Sequence, residues 1–138
     1  MKKLLLLMLV ASCASGCGER PQPLTIDNSL TAEEIKAGVF TPEVMWKMGR
    51  IGSAVLSPDG NALAYTVTYY NMEENRGVTA VYVRDMVSGG SSQLTDFASN
   101  NADPKWSADG SRLYFLSDRS GSNQIWSIAA GRSDVKQV

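Results

Sequence analysis

The sequence predicts an all-β fold, and three observations predict it. Strand-like alternation replaces helical periodicity from Ile51 onward. A turn of the form Ser-x-Asp-Gly interrupts that alternation twice, at Ser57-Pro58-Asp59-Gly60 and at Ser107-Ala108-Asp109-Gly110. The residues around the first turn recur around the second at a fixed offset: Ser57, Asp59, Gly60 and Leu63 match Ser107, Asp109, Gly110 and Leu113, 50 positions on. Four short strands repeated every 40–50 residues are the signature of a propeller blade. The expected architecture is therefore a partial β-propeller of about two four-stranded blades, preceded by short N-terminal helices.

Each strand follows from local chemistry. Ala54-Val55-Leu56 and Ala62 to Thr68 flank the first turn. Proline presets φ, aspartate bonds nearby amides, and glycine takes the left-handed position, so the hairpin is specified. A third strand is expected at Ala80 to Asp85 and a shorter fourth near Ser92 to Thr95. In the second repeat, Arg112 to Ser117 and Gln124 to Ile128 take the corresponding places, separated by the polar turn Asp118 to Asn123. Val81, Tyr82 and Gln93 match Ile125, Trp126 and Gln137 at an offset of 44, so the first repeat carries a six-residue insertion around Tyr69 to Gly77. Trp106 and Trp126 lie on strands and are expected in blade core. Asp59 and Asp109 are expected as turn formers. Two blades leave strand edges and apolar faces uncovered, and Val138 falls inside the expected fourth strand of the second repeat. The folding unit is therefore expected to continue.

Ahead of the blades, Thr31-Ala32-Glu33-Glu34 has capping-box form, predicting a helix through about Lys36 that ends near Gly38. Thr41-Pro42-Glu43 predicts a second helix with proline in its first position. Val44, Met45 and Met48 form one apolar stripe with Trp46 alongside.

The N-terminus reads as a leader. Met1-Lys2-Lys3 is a short positive region, Leu4 to Val10 an apolar run, and Ala11 to Cys17 a zone of small residues. Seven apolar residues fall far short of the ~20 that span a bilayer. Val10-Ala11-Ser12-Cys13 and Ala14-Ser15-Gly16-Cys17 both resemble the lipobox of bacterial lipoproteins, which implies a lipidated cysteine: Cys17, with Cys13 as the alternative. The expected organisation is a signal over 1–16, a tether over 17–30, a helical lead-in over 31–50, and an incomplete propeller over 51–138, with repeats at about 51–95 and 102–138. The expected location is the bacterial cell envelope, after export and lipid anchoring, on a periplasmic or outer-membrane face.

Several function classes are excluded or left without support. The chain has no histidine and no G-x-S-x-G, so it cannot assemble a Ser-His-Asp machine of its own. No catalytic, metal-binding or cofactor-binding residue is expected, and no cofactor. The net charge of −1 gives no argument for nucleic acid.

The run TPEVMWKMGRIGSAVLSPDGNALAYTVTYYNMEENRG resembles the start of the propeller in bacterial prolyl oligopeptidase family serine peptidases of the dipeptidyl and acylaminoacyl peptidase type. The stretch SADGSRLYFLSDRSGSNQIWSI resembles the WD-like repeats that those peptidases share with TolB-type periplasmic proteins. The resemblance implies a propeller that gates access of short peptides to an α/β-hydrolase domain, which is absent from this sequence. By this reading the chain is a non-catalytic propeller fragment of an exported serine peptidase. The alternative is a TolB-like, envelope-tethered binding propeller without enzymatic activity. Some relatives hold a substrate's amino terminus with paired propeller glutamates, which draws attention to Glu73 and Glu74. Beside Arg76 in a polar insertion, the pair reads first as a solvated loop with local ion pairing.

Overall fold

The computed structural model describes residues 23–129 and 134–138. The leader, with Cys13 and Cys17, lies outside the described residues. Two short helices, α1 (Ala32–Ala37) and α2 (Pro42–Lys47), precede eight strands. These are β1 (Arg50–Leu56), β2 (Ala62–Asn71), β3 (Arg76–Asp85), β4 (Ser91–Gln93), β5 (Asn101–Trp106), β6 (Arg112–Ser117), β7 (Gln124–Ala129) and β8 (Lys136–Gln137). They form two four-stranded antiparallel meanders, β1-β2-β3-β4 and β5-β6-β7-β8. Each is one propeller blade.

The Ser-x-Asp-Gly turns are built alike. In the first, the Ser57 hydroxyl donates to Asp59 Oδ1 at 2.6 Å and accepts from the Ala62 N–H at 2.9 Å. The Asn61 N–H donates to the same carboxylate at 3.1 Å. In the second, Ser107, Asp109, Ser111 and Arg112 reproduce these contacts at 2.6, 2.9 and 3.1 Å. Gly60 and Gly110 have φ of 76° and 70°, the left-handed region that a side chain disfavours. The Ser107 hydroxyl, followed by the Ser111 N–H and hydroxyl, holds the Asp109 carboxyl at about 2. Asp59 is lowered likewise, by Ser57 first.

The core lies between the blades. Strand alternation sends Ala64 on β2 and Val81 on β3 to one face of the first sheet. There they meet Leu113, Phe115 and Ile128 from the second sheet, and all five are at most 1% exposed. Trp106 and Trp126 pack against this cluster at its margin, half-buried. The first strand of each blade breaks register near its start, between Ile51 and Ala54 and between Ala102 and Lys105. Such a bulge bends the strand locally.

Polar groups lock the same interface. Asn101 is 1% exposed. Its amide donates to the carbonyls of Ser99 at 2.7 Å and Thr79 at 3.0 Å, and its oxygen accepts from the Arg119 guanidinium at 3.0 Å. Asn100 accepts from the Thr79 N–H at 3.2 Å, and its own N–H donates to Asp118 at 2.9 Å. Burying the Asn101 side chain is tolerable only because it is paired.

The expected insertion lengthens the β2–β3 hairpin. Tyr69, Tyr70 and Asn71 extend β2, and Arg76 and Gly77 extend β3, with Asn71 directly opposite Arg76. Each central strand of the first blade is ten residues long, against six in the second. Only the tip between Asn71 and Arg76 is a turn, with Asn75 at a φ of 46°.

Candidate functional site

The longer hairpin and the helical lead-in meet to form a cleft. Both helices start as the sequence dictates. Thr31 caps α1 with a complete capping box, and the Thr41 hydroxyl accepts from the Val44 N–H at 3.3 Å at the start of α2. Val44 is buried, and α2 packs against β2. Within the segment expected as a tether, Leu24 is 3% exposed and its N–H donates to the Phe97 carbonyl at 3.0 Å. The Asn71 amide donates to the Thr25 carbonyl at 3.0 Å, fixing that segment to the hairpin.

The cleft has a volume of ≈ 510 Å³. Pro42, Trp46, Tyr70 and Met72 give it an apolar wall, and Asp27, Glu43, Lys47 and Glu73 supply its charges. Trp46 and Tyr70 meet edge to face with centroids 5.4 Å apart. The Arg50 guanidinium packs on both rings, 4.6 Å from the Trp46 centroid and 4.5 Å from that of Tyr70. Such cation–π contacts hold a wall in one arrangement.

Charge is distributed unevenly around the cleft. Lys47 Nζ lies 3.0 Å from Oε2 of Glu34, a residue outside the lining, and that ion pair is half-buried. The Thr31 N–H first, then Lys47, holds the Glu34 carboxyl below its ordinary range. Asp27 is lowered by the Ser29 hydroxyl and N–H, with a smaller contribution from the charge of Lys47. Glu43 is lowered by its own backbone N–H and by the Thr41 hydroxyl. These carboxylates are held in the charged form by local hydrogen bonds.

The two glutamates of the hairpin tip are separated in role. Glu73 lines the cleft. Glu74 is not among the lining residues, and its N–H donates to the Asn71 side chain at 2.9 Å. Neither forms an ion pair with Arg76 among the described residues. Trp46, alongside the apolar stripe of α2 in the sequence, forms cleft wall. Asn71, Asp27 and Glu43 gave no sequence signal beyond polar turn and helix start. Among the described residues no group of three or more cysteine or acidic side chains is placed to hold a metal ion. None of the described helices is long and apolar enough to cross a membrane.

Residues 28–138 match the TolB beta propeller domain. The chain belongs to that family. Within this TolB-type propeller, similarity also runs to peptidases. Dipeptidyl-peptidase 5 of Porphyromonas endodontalis is 30% identical over 112 residues, covering 81% of this chain and 16% of the relative. Dipeptidyl-peptidase 5 of Porphyromonas gingivalis is 34% identical over 86 residues, 62% of this chain and 13% of the relative. The TolB-type propeller thus spans about a sixth or less of these two dipeptidyl-peptidases. Among solved structures, the acylaminoacyl peptidase of Pyrococcus horikoshii superposes with a TM-score of 0.57 at 22% identity, over 68% of this chain and 14% of its own, a likeness of fold alone. TolB from Acinetobacter baumannii superposes with a TM-score of 0.51 at 25% identity, over 64% of this chain and 21% of its own. The TolB-type blades are homologous to propeller domains of peptidases and of TolB.

Proposed function

We propose that these blades open the propeller that screens short peptides for an exported serine peptidase. The observation that carries this reading is the alignment with dipeptidyl-peptidase 5, which extends over 81% of the chain and so beyond the second, generic repeat. On this reading the chain contributes access control and no chemistry. A Ser-His-Asp triad requires an imidazole, and the sequence holds none. The leader pattern supports export. A lipid on Cys17, or on Cys13, would tether the protein to the envelope, each buried methylene contributing ~0.8 kcal/mol.

The test compares the 138-residue chain with the natural product of its gene. The chain alone is expected to leave dipeptidyl and aminoacyl chromogenic substrates intact. The natural product is expected to cleave them, and a serine-directed inhibitor to stop it. A natural product that has the intact mass of a propeller alone and hydrolyses nothing would overturn this reading in favour of a TolB-like binding propeller. The same mass measurement reports a lipid on Cys17, which Cys17→Ala is expected to abolish.

A further inference from the structure

We infer that the cleft between α2 and the β2–β3 hairpin is a binding site for a peptide segment that carries a lysine or arginine side chain beside an apolar residue. It is built on one side from Thr25, Asp27 and α2, and on the other from Tyr70 to Glu73. Its volume of ≈ 510 Å³ lies in the range of sites that enclose a small ligand or a few side chains.

Two features select the occupant. The first is the wall. Pro42, Trp46, Tyr70 and Met72 offer apolar and aromatic surface, and the packing of Arg50 on both rings keeps that surface formed in the absence of ligand. A preformed wall reduces the ordering cost of binding. The second is charge. Three carboxylates, Asp27, Glu43 and Glu73, line the cleft against the ammonium of Lys47, and the Arg50 guanidinium lies on the rings of the wall. Lys47 is already engaged by Glu34 at 3.0 Å. An anionic ligand would meet repulsion, and a neutral apolar one would gain nothing from the exposed carboxylates, of which Asp27 already accepts from Ser29. A side chain with an apolar stem and a cationic head satisfies both features, because lysine and arginine bury their methylenes and keep the charge at the polar rim. The site uses one glutamate of the hairpin tip together with the lead-in, and needs no free amino terminus.

The test uses the natural product of the gene, treated with a serine-directed inhibitor so that no peptide is consumed. Calorimetric titration compares acetyl-Leu-Lys-Leu-amide with its isostere acetyl-Leu-norleucine-Leu-amide, both blocked at each end. The lysine peptide is expected to bind more tightly, by about threefold for each carboxylate it engages, the scale of a partly exposed ion pair. The difference is expected to shrink in 0.5 M salt, where the Debye length falls to about 4 Å. The double variant Glu43→Gln/Glu73→Gln is expected to remove most of it. Glu33→Gln, on α1 and outside the cleft, is expected to leave it in place and controls for net charge. Equal affinities for the two peptides, absence of binding, or a preference that survives Glu43→Gln/Glu73→Gln would overturn the inference. Each outcome is read without peptidase activity, so it stands or falls separately from the proposed function.

Discussion

The indole N–H of Trp106 donates to the backbone carbonyl of Val55 at 3.2 Å, joining the first strands of the two blades. Trp106 also packs on the interblade cluster of Ala64, Val81, Leu113, Phe115 and Ile128. It therefore supplies apolar area and a directional bond at one joint. Trp106→Phe keeps part of the first and loses the second. A loss of about 1–2 kcal/mol is expected, read as a lower urea midpoint.

Asn101 concentrates more of the interface in one side chain. Its amide bonds both Ser99 and Thr79, and its oxygen receives Arg119. Asn101→Ala removes all three at a position 1% exposed. The expected cost is about 2–3 kcal/mol, larger than for an average hydrogen bond because buried carbonyls are left unsatisfied. Asn101→Asp is expected to cost at least as much, since it sets a carboxylate oxygen against two carbonyl oxygens. Both are checked by urea unfolding.

Asp109 makes stability depend on pH in a definite direction. Its folded value, about 2, lies below the ordinary 3.8. A depressed carboxylate stabilises the fold fully above its unfolded value, and that contribution is lost as pH falls through the folded one. The window therefore runs from about pH 4 down to about pH 2. Asp109→Asn is expected to lower the urea midpoint at pH 6 and to converge on the unaltered protein near pH 2. Parallel titrations of the two proteins test it.

What could be read in the sequence was whatever local chemistry decides. The Ser-x-Asp-Gly turns, the Thr31 and Thr41 caps and the strand alternation each rest on residues within a few positions of one another. The interblade lock was not legible. Asn100 and Asn101 form a polar pair ahead of a strand, indistinguishable from turn residues until folding brings Thr79 and Arg119 beside them. The insertion was legible in position but not in form. Glu73 and Glu74 stand in the exposed turn that their polarity indicates, while Tyr69 packs edge to face on Phe97 and Tyr70 on Trp46, and these distant partners hold the flanking residues as strand. The cleft was invisible because its two sides come from separate parts of the chain.

Gly77 tests the rigidity of the cleft wall. It stands opposite Tyr70 in the β2–β3 ladder, and a Cβ there would lie 2.8 Å from Tyr70 Cε1. The ring has little freedom to withdraw, because Trp46 and Arg50 pack on it. Gly77→Ala is expected to destabilise the fold by about 1–3 kcal/mol, the range for inserting one carbon into a packed site. It is also expected to shift the emission of Trp46, measured in a variant with Trp106 and Trp126 replaced by phenylalanine.

The strand that ends each blade is short and hydrophilic. β4 is Ser91–Gln93 and β8 is Lys136–Gln137, all exposed. Another polypeptide trying to add itself at β4 would find only three residues to pair with, all of them polar. The rim of the first blade is thus a poor template for aggregation, and the blades keep Leu113, Phe115 and Ile128 turned inward against Ala64 and Val81.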